Sequence, residues 1–223
     1  SFPGFSTAMT PEKFLENAEN VGFVIAGQTA NLAPADKKMY ALRDVTGTVE
    51  SVPLIASSIM SKKLAAGSDA ILLDVKCGSG AFMKTEQDAR RLAELMVKIG
   101  SAAGKETVAV ITDMDQPLGR AVGNALEVRE AIQVLKNEGP DDITELSVKL
   151  AGTMVYLGGR ASSLQEGEQK AAQALSDGSA LQKFREFVAA QGGDPDITED
   201  PGLLPSAEIS EDLKAWCDGY IAG

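Results

Sequence analysis

The chain has 223 residues, a hydrophobic fraction of 44% and a formal net charge of -11, so it can fill a sizeable core but offers no basic surface for nucleic acid or an anionic membrane. It contains no histidine, which excludes serine-histidine triads, cysteine-histidine dyads and most catalytic zinc sites. Cys77 and Cys217 match no metal spacing, so we expect free thiols and a cytoplasmic location.

The first elements are a helix and a short apolar run. Thr10, followed by proline, is typical of a helix start, and we expect the helix to reach about Glu19. Residues 22–27 form an apolar run between glycines, which predicts a buried strand. Gln28 and Thr29 follow its carboxyl end, where open α/β sheets bind ligands. Hydrogen bonding to the loop backbone alone is an equally good explanation of these two side chains.

The next stretch brings together three polar side chains. Residues 34–42 predict a helix that delivers Arg43, and residues 51–66 predict another helix. On that second helix Ser58 and Lys62 are four residues apart, so they share one face. Two cations and a hydroxyl can therefore converge on one small polar ligand.

Two further strands complete the predicted sheet. The apolar segment 69–75 predicts a strand that is covered on both faces. A capping box at Thr85 opens a long helix, and residues 106–113 predict the last strand. Three strand-helix units in series predict an α/β fold with a mainly parallel central sheet flanked by helices.

Two loops offer ligand sites of low specificity. The turn Gly78-Ser79-Gly80 lies between Lys76 and Lys84, and its backbone N–H groups could bind an anion. A plain turn between a strand and a helix explains the three residues equally well. Farther along, Gly123-Asn124 interrupts a helix that resumes at residues 126–135. Carbonyls freed at such a break can bind a cation, although spacing alone favours a capped helix start with surface charge.

The last third of the chain is predominantly helical in pattern. Three helices are predicted, over residues 143–158, 163–175 and 180–190. Two edge strands are predicted after them, over residues 203–205 and 215–221. We expect one central α/β domain over residues 1–205. Residues 206–223 then begin a carboxyl-terminal domain or form an edge strand.

Four segments resemble the pyrimidine-nucleoside and thymidine phosphorylases. They are residues 27–55, 62–67, 74–83 and 118–130. The resemblance extends over essentially the whole chain and implies the large domain of the class II nucleoside phosphorylase fold. It implies that Arg43, Ser58 and Lys62 hold the pyrimidine ring, with Arg43 and Lys62 facing the charge that grows on the departing base. It leaves Cys77 without a role, whereas Asp44 is expected to orient Arg43.

The resemblance also implies a cation site. The backbone carbonyls of Leu118 and Ala121 and the carboxylate of Glu130 match positions that bind a structural potassium ion in some members. No organic cofactor is implied. The implied reaction is reversible phosphorolysis of uridine, thymidine or deoxyuridine, in which inorganic phosphate is the co-substrate and a pentose 1-phosphate is formed.

The resemblance further implies that the chain is part of a homodimeric enzyme. The phosphate-binding segment, which includes a histidine, would precede Ser1, and the small dimer-forming domain and most of the carboxyl-terminal domain are expected to be missing. We therefore expect an inactive fragment that supplies the pyrimidine-binding half of the site. An anthranilate-type phosphoribosyltransferase is the alternative enzyme, although Asp113 and Asp115 are a poor substitute for its metal-binding acids. A base-binding protein without chemistry is the other alternative.

Overall fold

The computed structural model describes residues 3–27 and 33–219, and in these it shows eight α-helices and two β-strands. In chain order the elements are α1 (Pro11–Val21), α2 (Pro34–Thr46), α3 (Val52–Ala65), β1 (Ala70–Cys77), α4 (Glu86–Ala102), β2 (Glu106–Asp113), α5 (Asn124–Leu135), α6 (Asp141–Leu157), α7 (Leu164–Ser176) and α8 (Ser179–Ala190). Two short 3-10 helices follow, at Pro195–Thr198 and Pro201–Leu203. The α/β class predicted from the sequence is confirmed. Gln28 and Thr29 lie outside the described residues.

The chain divides into two compact units. Of the described residues, the sheet unit comprises 33–117 and 153–162, and the helical unit comprises 3–27, 118–152 and 163–219. This division differs from the domain expected over residues 1–205, whose boundary stays a prediction.

The sheet unit is built on two parallel strands joined by a helix. Ala70 lies opposite Glu106, and Cys77 lies opposite Asp113, so both strands end at the same edge. Apolar side chains of β1, α3 and α4 form the core, which includes Ile71, Leu73, Val75, Met60, Leu92 and Met96. We predicted that β1 is covered on both faces, and this prediction is wrong. Buried residues occur at every second position of β1, on one face only, and Asp74 on the other face is exposed.

The strand predicted over residues 22–27 is absent from the structure. The backbone of Ile25 is paired with a side chain in place of a neighbouring strand: its N–H donates to Gln191 Oε1 at 2.9 Å, and its carbonyl accepts from Gln191 Nε2 at 2.9 Å. Phe23 stacks on Phe187 of α8, with ring centroids 4.3 Å apart. The run therefore lies on the surface of the helical unit, where Phe23 contacts α8 and Gln191 satisfies the backbone polar groups of Ile25.

The predicted edge strands are likewise not found. Residues 201–203 form a 3-10 helix, and the described part of 206–219 contains no strand. Leu204 instead packs with Ile132, Phe187, Val188 and Ile197 in the core of the helical unit. The predicted helices are found in the described residues, but Gly123-Asn124 does not interrupt a helix, because residues 118–123 are not helical and Asn124 begins α5. The side chains of Thr10 and Thr85 form the expected N-caps, and Ser163 caps α7 in the same way.

Candidate functional site

Lys62 is the centre of a polar cluster between α2 and α3. Its Nζ donates to Ser58 Oγ at 3.0 Å, one turn earlier on α3, and to Asp36 Oδ2 at 2.9 Å, in the first turn of α2. Ser58 is buried, and the Asp36 side chain is only 9% exposed, whereas the Lys62 side chain is 30% exposed. The Lys62 ammonium group therefore contacts two oxygens that are largely enclosed, and its side chain remains partly accessible to solvent.

Asp36 remains ionised within this cluster. Burial by itself raises the pKa of Asp36, but hydrogen bonds from Lys62 and Ser58, together with the charges of Lys62 and Arg43, hold the pKa below its ordinary value. Because Lys62 contacts both Asp36 of α2 and Ser58 of α3, these contacts join the two helices at this point. Sequence reasoning missed Asp36, although it lies seven residues before Arg43 and hence on the same face of the helix.

Arg43 is buried in the last turn of α2, where it contacts the loop that leads to α3. Its guanidinium donates to the carbonyls of Thr48, at 3.4 Å, of Val49, and of Leu54, at 3.5 Å. The same group lies over the ring of Tyr40, 5.0 Å from its centroid. Arg43 therefore organises the segment between the two helices.

The role expected for Asp44 is not visible in the structure. Asp44 is exposed, and the hydrogen bonds of Arg43 within the described residues go to backbone carbonyls. The orientation of Arg43 comes from carbonyls of the loop before α3 and of the first turn of α3.

Glu130 closes the loop that precedes α5. Its side chain is buried, and Oε1 accepts from the backbone N–H groups of Arg120, at 2.8 Å, and Ala121, at 3.1 Å. Oε2 lies so close to Gly119 that a Cβ there would collide with it, and Gly119 has a φ of 70°. A cleft of about 600 Å³ opens beside this carboxylate, and its lining includes Ala121 and Glu130.

These contacts meet one requirement of the expected cation site and leave another open. The carboxylate is buried beside the loop that contains Leu118 and Ala121, and its oxygens are hard ligands. Its Oε1, however, is already engaged by two N–H donors, so a cation would use Oε2. The described residues hold no group of three or more Cys, Asp or Glu side chains arranged for a metal ion.

The turn after β1 does not present free amides to an anion. The N–H of Gly78 donates to Met83 O at 3.0 Å, that of Ser79 to Asp115 Oδ1 at 2.7 Å, and that of Gly80 to Met114 O at 2.9 Å. The anion-binding interpretation is therefore wrong for the turn in this conformation. Beside it lies a cleft of about 670 Å³ at the common edge of β1 and β2, lined in part by Cys77, Lys84, Asp113 and Asp115.

Cys77 has no feature of a nucleophile. Burial, reinforced by the nearby carboxylates of Asp115 and Glu86, raises the pKa of the thiol above its ordinary value. A thiol that stays protonated is unreactive. Both Cys77 and Cys217 are free, as expected.

Comparison with protein families decides the affiliation of the chain. The model of the glycosyl transferase family, a/b domain, matches residues 1–181. The chain belongs to this glycosyl transferase family. Its family relatives include pyrimidine-nucleoside phosphorylases from Geobacillus stearothermophilus, 55% identical over 222 residues, and from Bacillus subtilis, 55% identical over 219 residues.

The resemblance found in the sequence is thereby confirmed. The two alignments cover 100% and 98% of this glycosyl transferase chain but 51% of each relative, so the chain spans about half the length of the curated relatives it matches. A third relative, the pyrimidine-nucleoside phosphorylase of Staphylococcus epidermidis, is 54% identical over 221 residues. Within the described residues of this family member, no helix has both the length and the apolar character needed to cross a bilayer.

Proposed function

We propose that the protein catalyses the reversible phosphorolysis of pyrimidine nucleosides, with this chain supplying the pyrimidine-binding half of the site. Uridine, thymidine or deoxyuridine would react with inorganic phosphate to give the free base and ribose or deoxyribose 1-phosphate. The observation that carries the proposal is the Lys62-Ser58-Asp36 cluster beside Arg43, in a chain 55% identical to a pyrimidine-nucleoside phosphorylase. Two cations and a hydroxyl on adjacent helices suit a base that has two carbonyl oxygens, which supports the proposal.

The chemistry follows from charge development on the leaving group. Phosphate attacks the anomeric carbon of the sugar from the face opposite the base, the C–N bond breaks, and its electron pair leaves with the pyrimidine. Lys62 has three N–H donors, of which two go to Ser58 and Asp36 in the described residues, so one is left for the base. A donor already aimed at the growing negative charge stabilises the transition state more than the ground state.

Arg43 contributes in the same way from the neighbouring helix. A guanidinium has five N–H donors, and the three contacts with the carbonyls of Thr48, Val49 and Leu54 use three of them. Two donors are then available to a carbonyl oxygen of the pyrimidine. No nucleophilic side chain is required, since phosphate itself is the nucleophile.

The remaining expectations belong to the same proposal. The backbone carbonyls of Leu118 and Ala121 and the Glu130 carboxylate would hold a potassium ion, which supplies structural stabilisation of the loop. A single carboxylate suits a monovalent cation better than a divalent one, which usually has more acidic ligands. The complete enzyme would be a homodimer that acts in the cytoplasm, with no nucleic-acid or membrane partner.

The test is uracil release from uridine, measured with and without phosphate on the full-length gene product and on the 223-residue chain. We expect phosphate-dependent release by the former and little or none by the latter. Lys62→Gln in the full-length protein should lower kcat/KM about 100- to 1,000-fold, as the loss of one well-placed donor does. Lys63→Gln, at the adjacent exposed lysine, is the matched control and should stay within about twofold.

Other outcomes separate the alternatives. Release that depends on pyrophosphate in place of phosphate would favour a phosphoribosyltransferase. Uracil binding without turnover by the full-length protein would favour a base-binding protein and refute the proposal.

A further inference from the structure

Asp36 makes contacts that its position in the helix does not require. It is the third residue of α2, after the N-cap Ala33, where a carboxylate commonly interacts with the free N–H groups of its own helix. Its oxygen Oδ2 instead contacts Lys62 of α3 at 2.9 Å. The hydrogen bonds that act on it come from Lys62 and Ser58, whereas for Asp142, in the first turn of α6, they come from backbone N–H groups.

Lys62 joins the three groups of the cluster. Its Nζ donates to both Ser58 Oγ and Asp36 Oδ2, and the Ser58 hydroxyl is near enough to Asp36 to lower the pKa of that carboxyl. The Asp36 side chain is 9% exposed, which is low for a carboxylate. An ion pair of this kind costs desolvation and is retained where it fixes a geometry. The exposed pair of Lys149 and Glu145 on α6, at 2.8 Å, has no such enclosure.

We infer that Asp36 is the positioning residue of the site: its carboxylate holds the Lys62 ammonium and the Ser58 hydroxyl in the one orientation that leaves a Lys62 N–H directed at the pyrimidine. The inference rests on the proposed function for its consequence in catalysis. Its structural half, the control of Lys62 by Asp36, does not depend on that function.

The first experiment measures the Lys62 amine directly. Reductive methylation of the full-length protein is followed at Lys62 by peptide mass spectrometry, in the wild type and in Asp36→Asn. The amide keeps the shape of the side chain and removes its charge, so the Lys62 amine loses a charge-assisted hydrogen bond and its labelling rate should rise about 10-fold. In Glu145→Gln, the matched control, the Lys62 rate should not change.

The second experiment measures turnover of uridine with phosphate. Asp36→Asn should lower kcat/KM about 10- to 100-fold, the loss expected when a charge-assisted hydrogen bond is removed, and most of the loss should be in kcat. Asp36→Glu keeps the charge and should recover part of the rate. It also serves as the second variant if Asp36→Asn folds poorly.

The outcomes separate this inference from the proposed function. Lys62 labelling that is the same in Asp36→Asn, in Asp36→Glu and in the wild type overturns the inference, whatever the activity. A loss of turnover that appears entirely as a smaller folded fraction, with kcat per folded molecule unchanged, also overturns it. If the wild type has no phosphorolysis activity, the proposed function fails, and the labelling experiment still decides whether Asp36 controls Lys62.

Discussion

Gln191 should be among the most sensitive polar positions of the helical unit. Its side chain is buried and forms three hydrogen bonds: Nε2 donates to Ser6 O at 2.8 Å and to Ile25 O at 2.9 Å, and Oε1 accepts from Ile25 N–H at 2.9 Å. At about 1 kcal/mol net for each bond, Gln191→Ala removes about 3 kcal/mol of stability. The two carbonyls and one N–H left behind lose their protein partner.

The assay is urea denaturation followed by circular dichroism, combined with hydrogen exchange at the Ile25 amide. We expect a cost of about 2–4 kcal/mol and loss of Ile25 protection. Gln182→Ala is the matched control, because Gln182 is an exposed glutamine of α8 whose one side-chain bond, to Glu186, is 3.5 Å long. A cost below about 1 kcal/mol for Gln191→Ala, or unchanged exchange at Ile25, would refute the reasoning.

Three further changes test the packing and electrostatics of the two units. Met60→Ala empties a fully buried position and should cost about 2–5 kcal/mol in urea denaturation, whereas Met60→Leu should cost less than about 1.5. Gly100→Ala places a Cβ against the Thr107 side chain and should cost about 1–3 kcal/mol, part of which Thr107→Ala should restore in the double variant. The Gly119 N–H lowers the pKa of Asp142, so this carboxylate contributes stability above its ordinary pKa of 3.8, and the contribution is lost as the pH falls through the depressed value. Asp142→Asn should therefore flatten the acid limb of a plot of unfolding free energy against pH.

Elements with strong local signals were predicted well from the sequence. β2 has the predicted bounds, residues 106–113, because its apolar residues are flanked by polar ends and followed by turn residues. The helix after Thr85 begins where the capping box predicts, and the Thr85 side chain accepts from Asp88 N–H at 3.2 Å. Such features depend on neighbours within four residues, which the sequence displays directly.

Features that depend on distant residues were not predictable in the same way. The run 22–27 has the composition of a strand, yet its backbone partner is Gln191, which is 166 residues from Ile25 in the sequence. Local composition could not reveal that a glutamine side chain would replace a strand. The three residues expected to bind the base are on the neighbouring helices α2 and α3, as predicted, but the buried carboxylate between Ser58 and Lys62 emerged from packing.

The turn after β1 contains its own anion. Asp115 presents a carboxylate oxygen to the Ser79 N–H at 2.7 Å, and the Ser79 hydroxyl donates to Asp115 O at 3.3 Å. A side chain from the loop after β2 therefore closes the turn that follows β1. The ends of the two strands are joined in this way beyond their last backbone pair, so a change at Asp115 would loosen both loops together.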